Sequence, residues 1–334
     1  MPKYRESGVD FNSVGIFRNA IISELTFDGT KFKRAAKIGH YSGLVSFKGN
    51  YIAIHTDNVG TKTMLALEHN YFEEVGYDLV GMNVNDVVCI GAEPMAMVNY
   101  IAGSMLGEEM GKSIGRSIND ACKEAGISMV GGETASVPDL VKGVDISGTV
   151  IGSLERGREI TGKRIKERDR VIGLRSNGVH SNGFSLIRKI YGNRPNTLEE
   201  ELDGVPFWKI LLKGTRIYSR KISEMVEEFD IHGISHITGG GVRNLLRLKN
   251  TRFRLIYPEI PFLFRKILKD GGIPYQDAFE VFNMGIGMVV ISSRREADSI
   301  IQELSKFNPV DLGEVVDGMG VSVDNYDVKY DGYY

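Results

Sequence analysis

Three acids in the first part of the chain have types and neighbours that suit chemistry. Asp57 ends the β-branched and aromatic run Tyr51 to Thr56, Asp86 falls on the same helical face as Val75, Leu79, Met82 and Ile90, and Glu133 follows an apolar residue and two glycines in MVGGETASVP. An ionised carboxylate moved out of water is costly unless a cation or strong donors meet it. No Lys or Arg lies between Lys62 and Lys112, so Asp86 must find its partner elsewhere in the fold or in a bound ion. Together the three acids suit Mg2+ carrying phosphate oxygens, because that ion takes few carboxylates and keeps positions for substrate and water. Taken singly, Asp57 and Glu133 read equally well as turn or cap residues.

The second half offers a different set. In RSNGVHSNGFSLIRKIY, Ser, Asn and Gly flank His180, and Phe184, Ile187 and Tyr191 then repeat at helical spacing. In HGISHITGGGVRNLLRL, Gly239, Gly240 and Gly241 precede a short apolar helix. A loop of donors leading into a helix start favours anions, so the pair reads as a phosphate site in duplicate. His180, His232 and His236 are half of the six histidines, all beside such turns. An imidazole titrates near neutral pH and can move a proton, although a lone histidine is more often a satisfied structural residue. Neither the GxxxxGK[ST] nor the GxGxxG signature occurs, which argues against a P-loop or a nicotinamide site.

The elements that must position these residues follow from periodicity. Strands are expected over Leu44 to Phe47, Tyr51 to Thr56, Met95 to Ala102, Ser128 to Val130, Asp145 to Leu154, Val171 to Leu174 and Phe282 to Ile291, with helices from Ser13 to Leu25, through Val75 to Ile90 and from Glu108 to Ala125. The order is that of an α/β (α+β) fold with helices over one sheet face. A length of 334 residues favours two domains, and the charged, glycine-punctuated ERGREITGKRIKERDR divides the chain into 1–158, a linker 159–170 and 171–334.

Lys plus Arg (41) nearly balance Asp plus Glu (43), which leaves no electrostatic footprint for nucleic acid. No apolar run approaches the ~20 residues needed to span a membrane, and the N-terminus lacks an apolar signal core, so a cytoplasmic address is expected. Cys89 and Cys122, each in an apolar helical pattern, read as buried reduced thiols. Four basic residues from Lys31 to Lys37 read as a solvated surface.

Nine segments, YRESGVD, HTDNVGTK, GMNVNDVVCIGAEP, GGETASVPDLV, DISGTVIG, SNGVHSNGFSLIRKI, LDGVP, HGISHITGGGV and FNMGIGM, run nearly end to end. In that order they resemble the phosphoribosylformylglycinamidine cyclo-ligase (aminoimidazole ribonucleotide synthetase) family. The resemblance implies a homodimer whose N-terminal sheets pair into a barrel, with ATP and formylglycinamidine ribonucleotide held in a cleft between the domains. It also implies ATP-driven ring closure, in which the amide oxygen is phosphorylated, an amidine nitrogen attacks and phosphate leaves.

By the same resemblance Asp57, Asp86 and Glu133 would hold Mg2+ and the ATP phosphates. Asn85 and Lys62 would stand beside them, and Tyr4 to Asp10, with Gly8 and Asp10, would form an arm over the nucleotide. His180, Ser181 and Asn182 would meet the substrate, and His236 with Gly239, Gly240 and Gly241 its phosphate. Lys62 is open to a second reading as a solvent-facing helix residue, and a requirement for K+ beside Mg2+ is not readable from the residues. Selenophosphate synthetase, thiamine-monophosphate kinase and a hydrogenase-maturation dehydratase share the strand end and the ND pair, and a nucleotide-binding subunit without catalysis is a reading of another class. Two positions depart from the family pattern, Asn58 for the usual glycine and the loop Gly39 to Gly43, which lacks the denser Gly-Phe-Gly run.

Overall fold

The strand Val144–Leu154 alternates buried and less buried residues, with Val144, Ile146, Gly148, Val150, Gly152 and Leu154 inward, the period of two that a sheet with one covered face requires. The structure is a computed structural model that describes residues 11–36 and 38–333. Around that strand (β5) a five-stranded sheet forms from β1 (Gly43–Phe47), β2 (Asn50–Asn58), β3 (Glu93–Gly103) and β4 (Ser128–Ser136) in the order β1-β2-β5-β3-β4. All pairs are antiparallel except β3 with β4. Before it lies the helix α1 (Phe11–Glu24). The inner face is covered by α3 (Val75–Val88) and α4 (Glu108–Ala125), and α2 (Lys62–Glu68) starts two residues after the Gly60 turn.

A second, seven-stranded sheet follows. Its strands are β6 (Arg170–Arg175), β7 (Ile231–His236), β8 (Arg252–Leu255), β9 (Ile286–Ser292), β10 (Val310–Val316), β11 (Gly320–Val323) and β12 (Val328–Tyr330), in the order β12-β11-β8-β10-β6-β9-β7. β6 and β9, inside the sheet, and β7 at its edge are buried over most or all of their length, as strands covered on both faces should be. The helix α5 (Phe184–Tyr191) begins at the loop carrying His180. One cluster of buried apolar side chains extends through both halves of the chain.

The expected strands and helices are present, with three differences. β4 runs on to Ser136, so Glu133 lies in a strand and not in a loop. Phe282 to Gly285 forms a turn, with Met284 at φ 51°, and the strand starts at Ile286. The helix after the three glycines is a 3-10 helix, Gly241–Arg247. Cys89 and Cys122 are free and buried, as expected. Among the described residues no helix is long and apolar enough to cross a membrane.

The two halves dock mainly along α3. Glu74, just before this helix, accepts the Gly214 N–H (3.0 Å) and the Lys213 ammonium (2.7 Å), and Asp78 Oδ1 accepts the Thr215 N–H (2.9 Å) and Oγ1–H (2.7 Å). Asn85 donates to the Arg216 carbonyl (2.9 Å) and accepts the Tyr218 N–H (2.9 Å). Contact is closest at two glycines: a Cβ on Gly214 would come within 2.5 Å of Tyr77 Cβ, and one on Gly81 within 2.9 Å of Thr215 Cγ2, so only glycine fits. At the far end of the junction the chain's one tryptophan, Trp208, stacks on His69 (4.4 Å between centroids, 10° between planes), with Tyr71 edge-on at 5.4 Å.

Candidate active site

Asp86 finds its partners within the fold. The inward turn of α3 places its Oδ1 2.7 Å from His236 Nδ1 on β7, and its Oδ2 3.5 Å from His55 Nε2 on β2. Burial alone would raise this carboxyl, but His55, the His236 hydrogen bond and charge, and Arg247 outweigh it and hold the group below the usual carboxylate range. Asp86 is therefore an anion at neutral pH, and the bonded His236 Nδ1 carries the proton. That leaves His236 Nε2 buried and without a hydrogen-bond partner among the described residues.

Asp57 lies two residues beyond His55 on the same face of β2, its backbone paired with the Asn83 side chain of α3 (3.0 and 3.3 Å). Burial, then the Asp86 charge, raise its carboxyl, against the pull of His55, the Asn58 N–H and His236. Nearby, His40 is lowered to about 4 by burial and by the Arg247 cation, with Asp86 working against both. Arg247 donates to the His40 carbonyl (3.1 Å) and lies over the Tyr41 ring at 4.1 Å.

His180 completes the group. It is buried, adopts φ 60°, and sets its Nε2 3.0 Å from Asn177 Oδ1, while Nδ1 has no partner among the described residues. Burial, then the charges of His236, Lys62 and Arg216, lower its pKa well below the ordinary value, so the ring is neutral at pH 7. Gly287 makes room for it, since a Cβ there would lie 2.7 Å from His180 Cε1. Four of the six histidines thus gather with Asp57, Asp86 and Arg247 where β2, α3, β7 and the His180 loop converge.

The expected residues are distributed unevenly. The two loops of the second half do meet, since Asn182 Oδ1 accepts the Gly239 N–H (2.9 Å) and Ser181 Oγ lies 3.5 Å from Thr215 Oγ1. The peptide N–H groups expected to cradle phosphate are occupied: Gly239 by Asn182, Gly240 by the Glu280 carbonyl (3.0 Å) and Gly241 by the Thr238 carbonyl (2.8 Å). The three acids do not converge. Glu133 is exposed on the edge strand β4, in register with Tyr100 on the face away from α3, and its carboxylate accepts the Thr134 N–H (3.1 Å). Among the described residues no group of three or more His, Cys, Asp or Glu is arranged to hold a metal ion.

Asn85 and Lys62 are both engaged where the two halves meet. Both Asn85 amide groups are bonded across the junction to residues 216 and 218. Lys62 does not face solvent: it is 0% exposed and its ammonium meets Asp78 Oδ2 (2.7 Å) and the carbonyls of Lys213 (2.7 Å) and His180 (3.0 Å). Burial lowers Lys62 and raises Asp78, while their mutual attraction opposes both shifts. Gly8 and Asp10, with the arm Tyr4 to Asp10, lie outside the described residues. Sequence reasoning missed His40, His55, Asp78 and Arg247. The two-residue spacing of His55 and Asp57 was the signal for His55, and Asp78, an acid inside the same apolar helix as Asp86, called for the same argument.

Comparison with known proteins gives this arrangement a context. Residues 39–154 match the model of the AIR synthase related protein, N-terminal domain, and residues 166–324 that of the C-terminal domain. A protein of Thermococcus kodakarensis named phosphoribosylformylglycinamidine cyclo-ligase is 41% identical over 98% of this chain and 100% of its own. The protein of that name from Pyrococcus furiosus is 41% identical over 99% and 100%. Among solved structures, a HypE–HypF complex aligns with a TM-score of 0.69 at 18% identity, covering 94% of this chain and 98% of that one. AaThiL complexed with AMPPCP and TMP aligns with a TM-score of 0.68 at 16% identity, covering 97% and 96%. At such identities these two speak for the fold alone, whereas the family models and the full-length relatives establish that the chain belongs to the AIR synthase related family, among its phosphoribosylformylglycinamidine cyclo-ligases.

Proposed function

We propose that this chain is a ligase that closes formylglycinamidine ribonucleotide to aminoimidazole ribonucleotide with ATP, releasing ADP and phosphate, a step of purine biosynthesis. The observation that carries the proposal is near-complete overlap at 41% identity with relatives named for that reaction. The γ-phosphoryl group passes to the amide oxygen, an amidine nitrogen attacks the activated carbon, and phosphate departs with that oxygen as the attacking nitrogen loses a proton. Phosphate leaves far more readily than an amide oxygen, so the protein's share is positioning, charge neutralisation and proton removal.

The His180 ring is suited to proton removal because it is neutral and its unpartnered Nδ1 keeps a lone pair. Ser181 and Asn182 present side-chain donors to the substrate beside it. Asp86 acts by fixing His236, whose Nε2, with the proton held on Nδ1, is left to accept. Asp57, half-buried beside a second anion, gains from a cation, and Mg2+ arriving on the ATP phosphates would be held there and neutralise phosphoryl charge. The site works in a homodimer: Ile54, Met95, Val98, Tyr100, Val130 and Ile151 expose large apolar side chains on the first sheet, an arrangement that favours sheet-to-sheet pairing. The same reading treats 1–158 and 171–334 as the domains joined by 159–170, acting in the cytoplasm.

The test is a coupled assay of the purified chain with formylglycinamidine ribonucleotide, ATP and Mg2+, with and without K+, following ADP and aminoimidazole ribonucleotide. Asp86→Asn and His180→Ala are run alongside. Product from the wild type, with turnover reduced about 100-fold or more in His180→Ala, is the expected outcome. Binding of ATP without imidazole formation would remove the substrate assignment.

A further inference from the structure

Lys62 follows Asp57 by five residues, close enough to be taken for a nucleotide contact, yet its ammonium is turned inward and shielded by the Phe184 ring at 5.4 Å. Its three bonds join three pieces of chain: Asp78 of α3, the carbonyl of Lys213, and the carbonyl of His180. His180 needs such a hold. A histidine at φ 60° is in the left-handed region that side chains other than glycine rarely adopt, so the surrounding structure must enforce it. Its ring is tied through Asn177 Oδ1 (3.0 Å), and Asn177 is tied through the Gly214 carbonyl (3.0 Å), one residue from the carbonyl that Lys62 also binds.

We propose that Lys62 is a positioning residue for the reaction: by binding the His180 carbonyl while paired with Asp78, it sets the His180 imidazole in the cleft and links its placement to docking of the two halves. The inference rests on the reading of His180 as the proton acceptor. It differs from a phosphate role for Lys62, which would act on ATP binding. It differs also from a purely structural ion pair, since a buried pair can often be replaced by uncharged residues with little loss of stability.

The full-length enzyme is tested as Lys62→Met and as Lys62→Met/Asp78→Asn, measuring kcat, KM for both substrates and Tm. The single variant strands the Asp78 carboxylate and is expected to lose both Tm and kcat, the latter by about 10-fold or more, with KM for ATP changed less than about twofold. The double variant removes the stranded charge and keeps an acceptor for Thr215, so Tm is expected to recover while kcat stays down.

Recovery of kcat together with Tm would reduce the pair to a structural one, and a tenfold rise in KM for ATP at unchanged kcat would return Lys62 to the phosphates; either overturns the proposal. If Tm fails to recover, 15N spectra of the histidine rings in Lys62→Met, at a temperature where circular dichroism shows it folded, decide the matter. A shifted or broadened His180 signal supports the role, and an unchanged one overturns it. His180→Ala separates the two readings. If it keeps full turnover, the proton-acceptor assignment falls; if it is inactive while Lys62→Met is unimpaired, only the positioning role falls.

Discussion

His40 has two buried ring nitrogens without hydrogen-bond partners among the described residues, and burial beside Arg247 brings its pKa to about 4. The folded value lies below the unfolded one near 6.5, so between pH ~6.5 and ~4 the unfolded chain binds a proton that the folded chain does not. Stability therefore falls on acidification across that window, by about 1.4 kcal/mol per pH unit from this residue, and His180 adds a second contribution of the same sign. Urea titrations at pH 6.5 and 5 should show the drop, and His40→Gln should lessen it by roughly the share of one histidine; an equal slope in the variant would refute the assignment. Such residues are hard to read in a sequence. Asp86 was legible because an acid on an apolar helix face demands a partner, but that partner, His236, stands 150 residues away. Arg247 and His40 carry no periodic or spacing signal, and their role comes from the packing of the second half onto the first.

At the scale of elements, α3 does two jobs with two faces. One presents Asp86 and Asn83 to the cleft and to β2, and the other lays Asp78, Gly81 and Asn85 along residues 215–218. Spacings of three and four put those three residues in a helical stripe, so a polar stripe on α3 was visible in the sequence. Its partner was not, because residues 215–218 form no periodic element. Asn85→Ala would leave the Arg216 carbonyl and the Tyr218 N–H buried and unpaired, which should lower stability by about 1–3 kcal/mol each before relaxation. A urea midpoint that falls with an unchanged m-value would support this, and an unmoved midpoint would show that Asn85 is dispensable for docking. The five strands of the first sheet were legible from alternation, but of the seven in the second only β6 and β9 were, since β7, β8, β10, β11 and β12 are short or interrupted by glycine and polar residues. Glu133 was misplaced because its glycine neighbours suggested a loop where the chain continues as an edge strand.

At the scale of the molecule, the first sheet buries one face under α3 and α4 and leaves apolar side chains on the other. Val98 lies on that outer face beside Thr149 of β5, and charge there should oppose sheet pairing. Light scattering of Val98→Glu should give the mass of one chain where the wild type gives two. A wild type that is itself monomeric at micromolar concentration would remove the homodimer from the proposal.

Trp208, from the second half, lies flat against His69 of the first, and no other tryptophan exists in the chain to blur its signal. The molecule thus carries a built-in optical gauge of its own junction, in which any parting of the halves that unstacks the pair would be written into the brightness and colour of a single indole's emission.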